Sequence, residues 1–310
     1  MCTMKKKFQM IGFALSVLLV ALPVVTVGAD NAASDKQKKE KTTESALGVK
    51  PVTGSWINLA YKDVRNKYTN PQSFDNMDPK LWEAKVRELS AMGIEYLVLM
   101  EVANEGKSYY PSQIMPWWYN KDKKSPVDAI LDEAAKHNMK IFMSSGWAKD
   151  QDDNLLDPAI KERQLWIMEE LASLYKNHKA FYGIGLSEFD NPEYEKQMQK
   201  LKVDIIAYQD EVGCVRDQFT LPRLKKNWQR LRDIHNRLNI EMWANCETFT
   251  WEEGTNDRTS ALIPAAYPRL LSQQVAASAA GVDKIISFMF YGIIENPESK
   301  YQLGQPVWSN

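Results

Sequence analysis

The chain has 310 residues, enough for one large domain with a substantial core. Apolar residues make up 44% and charged residues 25%, and 39 basic side chains against 40 acidic ones leave no net field to draw the chain onto nucleic acid. Three histidines and three cysteines are too few for a zinc cluster or a disulfide scaffold, whereas ten tryptophans among 33 aromatics suit a protein that offers flat apolar faces to a ligand.

Lys5, Lys6 and Lys7 precede an apolar run from Phe8 to Val27 that ends in Val27-Gly28-Ala29. A charged stretch, an apolar stretch and a small-residue cleavage site in that order read as an export leader cut near Ala29, with an uncleaved anchor as the alternative. No cysteine closely follows the run, and Cys2 precedes it, which argues against a lipoprotein. Loss of residues 1–29 removes three lysines and no acid, so 36 basic against 40 acidic residues leave a mature charge of −4. The expected location is secreted or periplasmic. Residues 30–50 are polar, lysine-rich and aperiodic, the pattern of a disordered linker, and one barrel domain is expected over 51–310.

From Pro51 onward, buried-strand runs alternate with helical periodicity. Helices are expected to open at Asp78-Pro79, Ser125-Pro126, Asp157-Pro158, Leu221-Pro222 and Pro268, and to stop near Gly93, Asn138, Asn239 and Gly281. The inward positions are Trp82, Val86 and Leu89; Val127, Ile130, Leu131 and Ala134; Leu165, Met168, Ala172 and Tyr175; Leu224, Trp228 and Leu231; and Leu271 and Val275. Strands are expected at Ser55–Ala60, Glu95–Met100, Lys140–Ser145, Phe181–Leu186, Asp204–Gln209, Ile240–Asn245 and Lys284–Phe290.

Nearly continuous apolar strands are covered on both faces, which means a parallel sheet with crossover helices. Seven such units favour a (β/α)8 TIM barrel over an open doubly wound sheet. Successive strands are separated by about 30 to 38 residues, but only 15 lie between Glu188 and Asp204. The fifth βα unit is therefore degenerate or missing.

In parallel barrels the chemistry sits at the carboxyl ends of the strands. Those positions hold Trp56 and Asn58; Glu101, Asn104 and Glu105; Trp147; Glu188 and Asp190; Gln209, Asp210 and Glu211; Asn245 and Glu247; and Tyr291. Lys140, Lys202 and Lys284 stand at strand starts and no lysine lies late in a strand, which disfavours a Schiff-base enzyme, and no G-x-S-x-G elbow occurs. Paired carboxylates remain. Glycoside cleavage needs one carboxylic acid to protonate the leaving oxygen and one carboxylate to meet the anomeric carbon. The fourth and seventh strands lie across a barrel mouth from each other, so Glu188 and Glu247 are the candidate catalytic pair. Trp56, Asn58, Glu101, Asn104, Trp117, Trp118, Trp147, Gln209, Asp210, Asn245 and Tyr291 are the candidate substrate-binding residues.

Several residues carry a second reading. Glu188 and Glu247 could be strand-end acids braced by a neighbour, and Glu101, Gln209 and Asp210 could brace loops rather than orient a ligand. The Trp117–Tyr119 run could stack on sugar or pack the loop onto the rim. Cys214 and Cys246 could form a disulfide or remain two buried thiols.

Gly54-Ser55-Trp56, Tyr182-Gly183-Ile184-Gly185-Leu186-Ser187-Glu188, Tyr208-Gln209-Asp210-Glu211-Val212-Gly213 and Trp243-Ala244-Asn245-Cys246-Glu247-Thr248-Phe249 resemble an exported bacterial TIM-barrel family, domain of unknown function 4434. That family is itself similar to clan A-type glycoside hydrolases. The resemblance spans about residues 51–295 and implies Glu188 as acid/base, Glu247 as nucleophile and a retaining outcome. The clan's Asn-Glu on the fourth strand is Ser187-Glu188 here, and the fifth unit is short. The expectation is a barrel that cleaves a polysaccharide or oligosaccharide; the alternative is a non-catalytic carbohydrate-binding barrel that has lost a βα unit. No cofactor and no metal are expected. The expected partner is a carbohydrate ligand, with no nucleic acid and no membrane after leader removal.

Overall fold

Proline and a short polar side chain together set the first two helix starts. In a computed structural model that describes residues 16–21, 48–59, 77–104, 106–144, 158–186, 203–210, 212–215, 220–251 and 262–288, the first helix, α1 (Pro79–Ala91), is capped by Asp78, whose carboxylate accepts from the Lys80 N–H at 3.0 Å. The second, α2 (Pro126–Lys136), is capped by Ser125, whose Oγ accepts from the Asp128 N–H at 2.9 Å. Both prolines sit in the first turn, where a missing N–H costs nothing. The remaining helices are α3 (Pro158–Tyr175), the single turn α4 (Val212–Val215), α5 (Thr220–Leu238) and α6 (Tyr267–Ala279). Asn138 and Asn239 follow α2 and α5 with φ of 56° and 53°, the left-handed conformation that ends a helix. Among the described residues, no helix is long and apolar enough to cross a membrane.

The strands are β1 (Ser16–Ala21), β2 (Val52–Asn58), β3 (Tyr96–Met100), β4 (Ala103–Asn104), β5 (Lys107–Ser108), β6 (Lys140–Ser144), β7 (Phe181–Leu186), β8 (Ile205–Gln209), β9 (Glu241–Glu247), β10 (Phe249–Trp251), β11 (Leu262–Pro264) and β12 (Lys284–Phe288). Seven of them pair in parallel in the order β7-β6-β3-β2-β12-β9-β8, the wall of a TIM-type barrel, with β10-β11 and β4-β5 as small hairpins at its rim. The fourth strand of the sequence reading is β7, the sixth is β8 and the seventh is β9. No fifth parallel strand occurs among the described residues.

Its place between β7 and β8 is taken by β1, which runs antiparallel to both neighbours. Leu18 lies opposite Leu186 on one side, and Leu19 lies opposite Ile205 on the other. An interrupted wall leaves two unpaired backbone edges one strand apart, and an apolar SVLLVA segment satisfies both. The sequence reading sets residues 1–29 apart as a leader; in the full chain six of them stand in the wall, a pairing that cleavage after Ala29 would remove. Packing against the barrel also extends slightly before Pro51, since Val49 is buried and the Lys50 N–H donates to Ser278 Oγ at 2.9 Å.

Side chains alternate between the two faces of each wall strand. Outward residues Ile57, Leu97, Leu99 and Ile141 pack under Leu81, Trp82, Val86 and Leu89 of α1 and Val127, Ile130 and Leu131 of α2. Outward Ile206, Tyr208, Met242, Ala244 and Ile285 pack under Trp228 of α5 and Ala277 of α6. Inward residues Trp56, Tyr96, Val98, Phe142, Ile205, Ala207, Trp243 and Ile286 fill the barrel itself. Trp243 meets Tyr96 and Phe142 edge-on at 4.9 and 5.8 Å. Below them Lys140 Nζ sits 4.4 Å from the Tyr182 ring and Lys284 Nζ 4.7 Å from the Tyr96 ring, closing the amino-terminal end with cations over aromatics.

Two helix faces are phased differently from the sequence expectation. Leu165 is exposed, and α3 buries Ile167, Leu171 and Tyr175 with Met168 and Ala172 partly covered. Four consecutive apolar residues, Leu165 to Met168, run round that helix, so periodicity alone does not select a face. On α6, Val275 is exposed and the inward positions are Gln273 and Ala277. A fully buried glutamine stands where an aliphatic residue is expected.

Candidate active site

The barrel places Glu247 at the carboxyl end of β9, on the same inward face as Trp243 and Asn245, and buries it completely. Gln209, at the carboxyl end of β8, shares the inward face of Ile205 and Ala207 and is 8% exposed. Its Nε2 donates to Glu247 Oε1 at 2.6 Å. A carboxylate removed from water tends to take up a proton, and an amide donor on its oxygen opposes that by favouring the ionised form.

Asp210 stands one residue further on. Its Oδ1 accepts the backbone N–H of Glu247 at 3.1 Å and that of Val212 at 3.3 Å, and its Oδ2 accepts Gln273 Nε2. Gln273 Nε2 also lies 3.2 Å from the Glu247 carbonyl oxygen. Burial pushes the Asp210 carboxyl above its ordinary range, while the Gln273 amide and the two backbone donors pull it down. Arg269 donates to the Phe249 carbonyl oxygen at 2.5 Å. Burial lowers its pKa, and the nearby Asp210 and Glu247 carboxyls oppose that lowering. Of the two readings of Asp210, the bracing one matches this geometry: both of its oxygens hold protein groups.

Asn245 lies two residues before Glu247 on the same face, fully buried, and neither atom of its amide has a hydrogen-bond partner among the described residues. The Trp56 indole N–H is likewise buried and unpartnered there, its ring edge-on to Phe288 at 5.8 Å. Buried polar atoms are nearly always matched, so these two expected binding residues hold hydrogen-bonding capacity inside the barrel.

Glu101 ends β3 with φ of 49°, a left-handed conformation that costs a branched or long side chain about 1–3 kcal/mol. The chain steps out of the sheet at Glu101 and re-enters at once, because the Val102 N–H donates to the Ser144 carbonyl at 3.0 Å. The strained residue therefore stands at the rim, where the sequence reading puts a ligand contact.

The aromatic loop packs largely on itself. Trp117 stacks on Tyr119 at 5.2 Å and Trp118 on Tyr109 at 6.3 Å, with Lys121 Nζ 5.1 Å from the Trp117 ring and Lys107 Nζ 4.4 Å from that of Trp118. The Trp117 indole N–H donates to the Ser112 carbonyl at 2.8 Å. That geometry matches the rim-packing reading. Cys246 faces outward as a free, buried thiol, so the disulfide with Cys214 is not formed. Burial raises its pKa well above the usual thiol value.

Glu188, Trp147 and Tyr291 lie outside the described residues, as do Glu105, Asp190 and Glu211; the side chains of Asn58, Asn104 and Cys214 also lie outside them. Among the described residues, no three His, Cys, Asp or Glu side chains are grouped to hold a metal ion. The sequence reading passed over Gln273 and Arg269. The signal for Gln273 is the helical spacing Leu270, Gln273, Ala277, which competes with Leu271, Val275 for the inward face.

No curated protein sequence matches the chain. Among solved structures, a candidate α-L-fucosidase from Bacteroides thetaiotaomicron superposes with a TM-score of 0.59 at 19% identity, over 88% of this chain and 95% of that one. At that identity the likeness establishes the barrel fold. A family 99 endo-α-mannosidase from Bacteroides thetaiotaomicron (TM-score 0.47, 15% identity, 77% of this chain and 83% of that one) and a family 5 mannosidase from Rhizomucor miehei (0.47, 12%, 84% and 88%) also align. The family model described as domain of unknown function DUF4434 matches residues 52–197 and 186–301, two stretches that meet where the interval after the fourth strand is short. The chain belongs to the DUF4434 family.

Proposed function

We propose that the protein is an exported glycoside hydrolase-like barrel that cleaves a polysaccharide or oligosaccharide with retention of configuration, Glu188 serving as acid/base and Glu247 as nucleophile. The observation that carries this reading is Glu247 itself: a strand-end carboxylate at the catalytic face of a TIM-type barrel, inward-facing and held by an amide donor. A nucleophile must be ionised before it meets the anomeric carbon, and Gln209 favours that state. Asn245 and the Trp56 indole supply further polar groups in the barrel interior, and the superposition with a fucosidase-named barrel agrees with a sugar as ligand. In a retaining enzyme the Glu188 and Glu247 carboxyls stand about 5–5.5 Å apart, with no room for a water between them.

The test is a panel of oligosaccharides and 4-nitrophenyl glycosides assayed with the native chain, Glu188→Gln and Glu247→Gln. Each substitution is expected to lower turnover by at least about a thousandfold, the scale on which loss of one member of a catalytic pair is felt. Native turnover left intact in both variants overturns the assignment. The second reading, a carbohydrate-binding barrel without turnover, is favoured by the lack of a fifth parallel strand among the described residues. Calorimetric binding of an oligosaccharide without any cleavage selects it.

A further inference from the structure

Glu247 is enclosed by groups that the proposed chemistry does not itself use. Three of them come from one short run that starts with the last residue of β8. Gln209 reaches the carboxylate directly, 2.6 Å from Oε1. Asp210 holds the peptide N–H of Glu247 at 3.1 Å, fixing the backbone from which the side chain projects. Gly213 lies against the other carboxylate oxygen: a Cβ there would come within 2.9 Å of Oε2 and 2.3 Å of the Phe249 carbonyl oxygen. Only glycine leaves space for both atoms, whatever its φ. From the opposite side Gln273 of α6 joins Asp210 to the Glu247 carbonyl, and Arg269 of the same helix fixes the Phe249 carbonyl two residues on.

We infer that Gln209, Asp210 and Gly213, together with Gln273, form a positioning device for Glu247 rather than a ligand-binding surface. Gln209 is its contact with the carboxylate, and Gly213 is its spacer. The inference rests on the proposed role of Glu247, since positioning matters only if that carboxylate reacts. Each member has a separate task. Gln209 anchors Oε1 and thereby fixes the rotation of the carboxylate plane. Asp210 and Gln273 fix the main chain on both sides of the residue. Gly213 keeps Cβ bulk away from Oε2. A side chain pinned at three levels samples few rotamers, which is what a nucleophile needs if its attack geometry is to be preset.

The test follows the carboxyl group directly and needs no substrate. Protein labelled with carbon-13 at glutamate Cδ is titrated by NMR, the Glu247 signal being assigned by its loss in Glu247→Gln. Gln209→Met keeps the volume but deletes the donor, and the Glu247 midpoint is expected to rise by about one to two pH units, since a hydrogen bond to a charged group is worth that much differential stabilisation. Gln209→Glu, nearly the same size, serves if the Met variant does not fold. Two carboxyls 2.6 Å apart cannot both ionise, so the pair's upper midpoint is expected to rise further. A purely structural role for Gln209 lowers the melting temperature and leaves the Glu247 titration where it is. That result in either variant overturns the inference. An absence of turnover on every glycoside, with the titration shifted as expected, leaves the positioning intact and removes the hydrolase reading instead.

Discussion

Tyr208 and His235 face each other across the contact between β8 and α5, with the phenol oxygen 2.8 Å from Nε2 and both residues buried. His235 Nδ1 lies 2.9 Å from the Ile240 carbonyl oxygen, which can only accept, so Nδ1 carries the proton. In the neutral ring Nε2 is then the acceptor for the Tyr208 hydroxyl. A second proton would displace that bond and place a charge in an apolar layer, and burial lowers the His235 pKa to about 4. In the unfolded chain the value is near 6.5. Between those two values the unfolded state binds a proton that the folded state does not, so the contribution to stability is complete above about pH 6.5 and declines as pH falls towards 4. Unfolding free energies from urea titrations at pH 7.5 and 4.5 are expected to differ by up to about 3 kcal/mol more in the native chain than in His235→Leu. An equal pH dependence in the two proteins removes this account.

Glu170 of α3 collects three donors from the aromatic loop: the Tyr110 hydroxyl at 2.7 Å, the Ser112 hydroxyl at 2.7 Å and the Gln113 N–H at 2.5 Å. The ionised carboxylate is the only common side chain that accepts all three without a clash of donors. Burial, joined by the same contact, pushes the Tyr110 pKa far above that of a free phenol. Glu170→Gln replaces one acceptor oxygen by a donor and is expected to cost about 1–3 kcal/mol. The loss should be local: faster proteolytic cleavage at Lys121, Lys123 and Lys124, with Trp117 and Trp118 fluorescence moving to the red. A change in global stability with loop cleavage unaltered would place the strain elsewhere.

Glu101 adopts its left-handed conformation without the freedom of glycine. Glu101→Gly relieves that strain, whereas Glu101→Ala keeps it. The glycine variant is therefore expected to be the more stable of the two by about 1 kcal/mol, against the usual ordering of these residues. If the alanine variant proves more stable, the backbone is not strained at this position. Both variants are expected to weaken oligosaccharide binding if the side chain meets the ligand.

How much was legible follows from how local each feature is. Asp78-Pro79 and Ser125-Pro126 mark helix starts because cap and proline act within one turn, and both are found where the sequence puts them. The parallel strands are legible because burial on both faces leaves an unbroken apolar run. The inward phase of α3 is not, because Leu165, Trp166, Ile167 and Met168 offer an apolar residue in every direction. Gln273 escapes for a related reason: a glutamine on an amphipathic helix reads as solvent-facing unless the partner carboxylate, 63 positions away in sequence, is already known. The position of Glu247 at the carboxyl-terminal face of the barrel is legible from the order of strands alone, but its enclosure by Gln209, Asp210 and Gly213 depends on side-chain reach between neighbouring strands.

The pairing of β1 tests how the barrel meets its missing unit. Residues Ser16–Ala21 hydrogen-bond to both β7 and β8 and so close the wall between them. A chain beginning at residue 30 has two open edges there, each carrying unpaired N–H and C=O groups. Hydrogen exchange should therefore quicken in Phe181–Leu186 and Ile205–Gln209 of the shortened chain, while Tyr96–Met100 and Lys284–Phe288, on the far side of the wall, keep their protection. A peptide spanning Phe13–Pro23 should restore the lost protection when added in excess, because it carries the residues that pair with both edges. Glu247 is one strand from the opening, on β9, so the same experiment reports whether its surroundings depend on a closed wall. Unchanged exchange in β7 and β8 after truncation would mean that another part of the chain fills the slot.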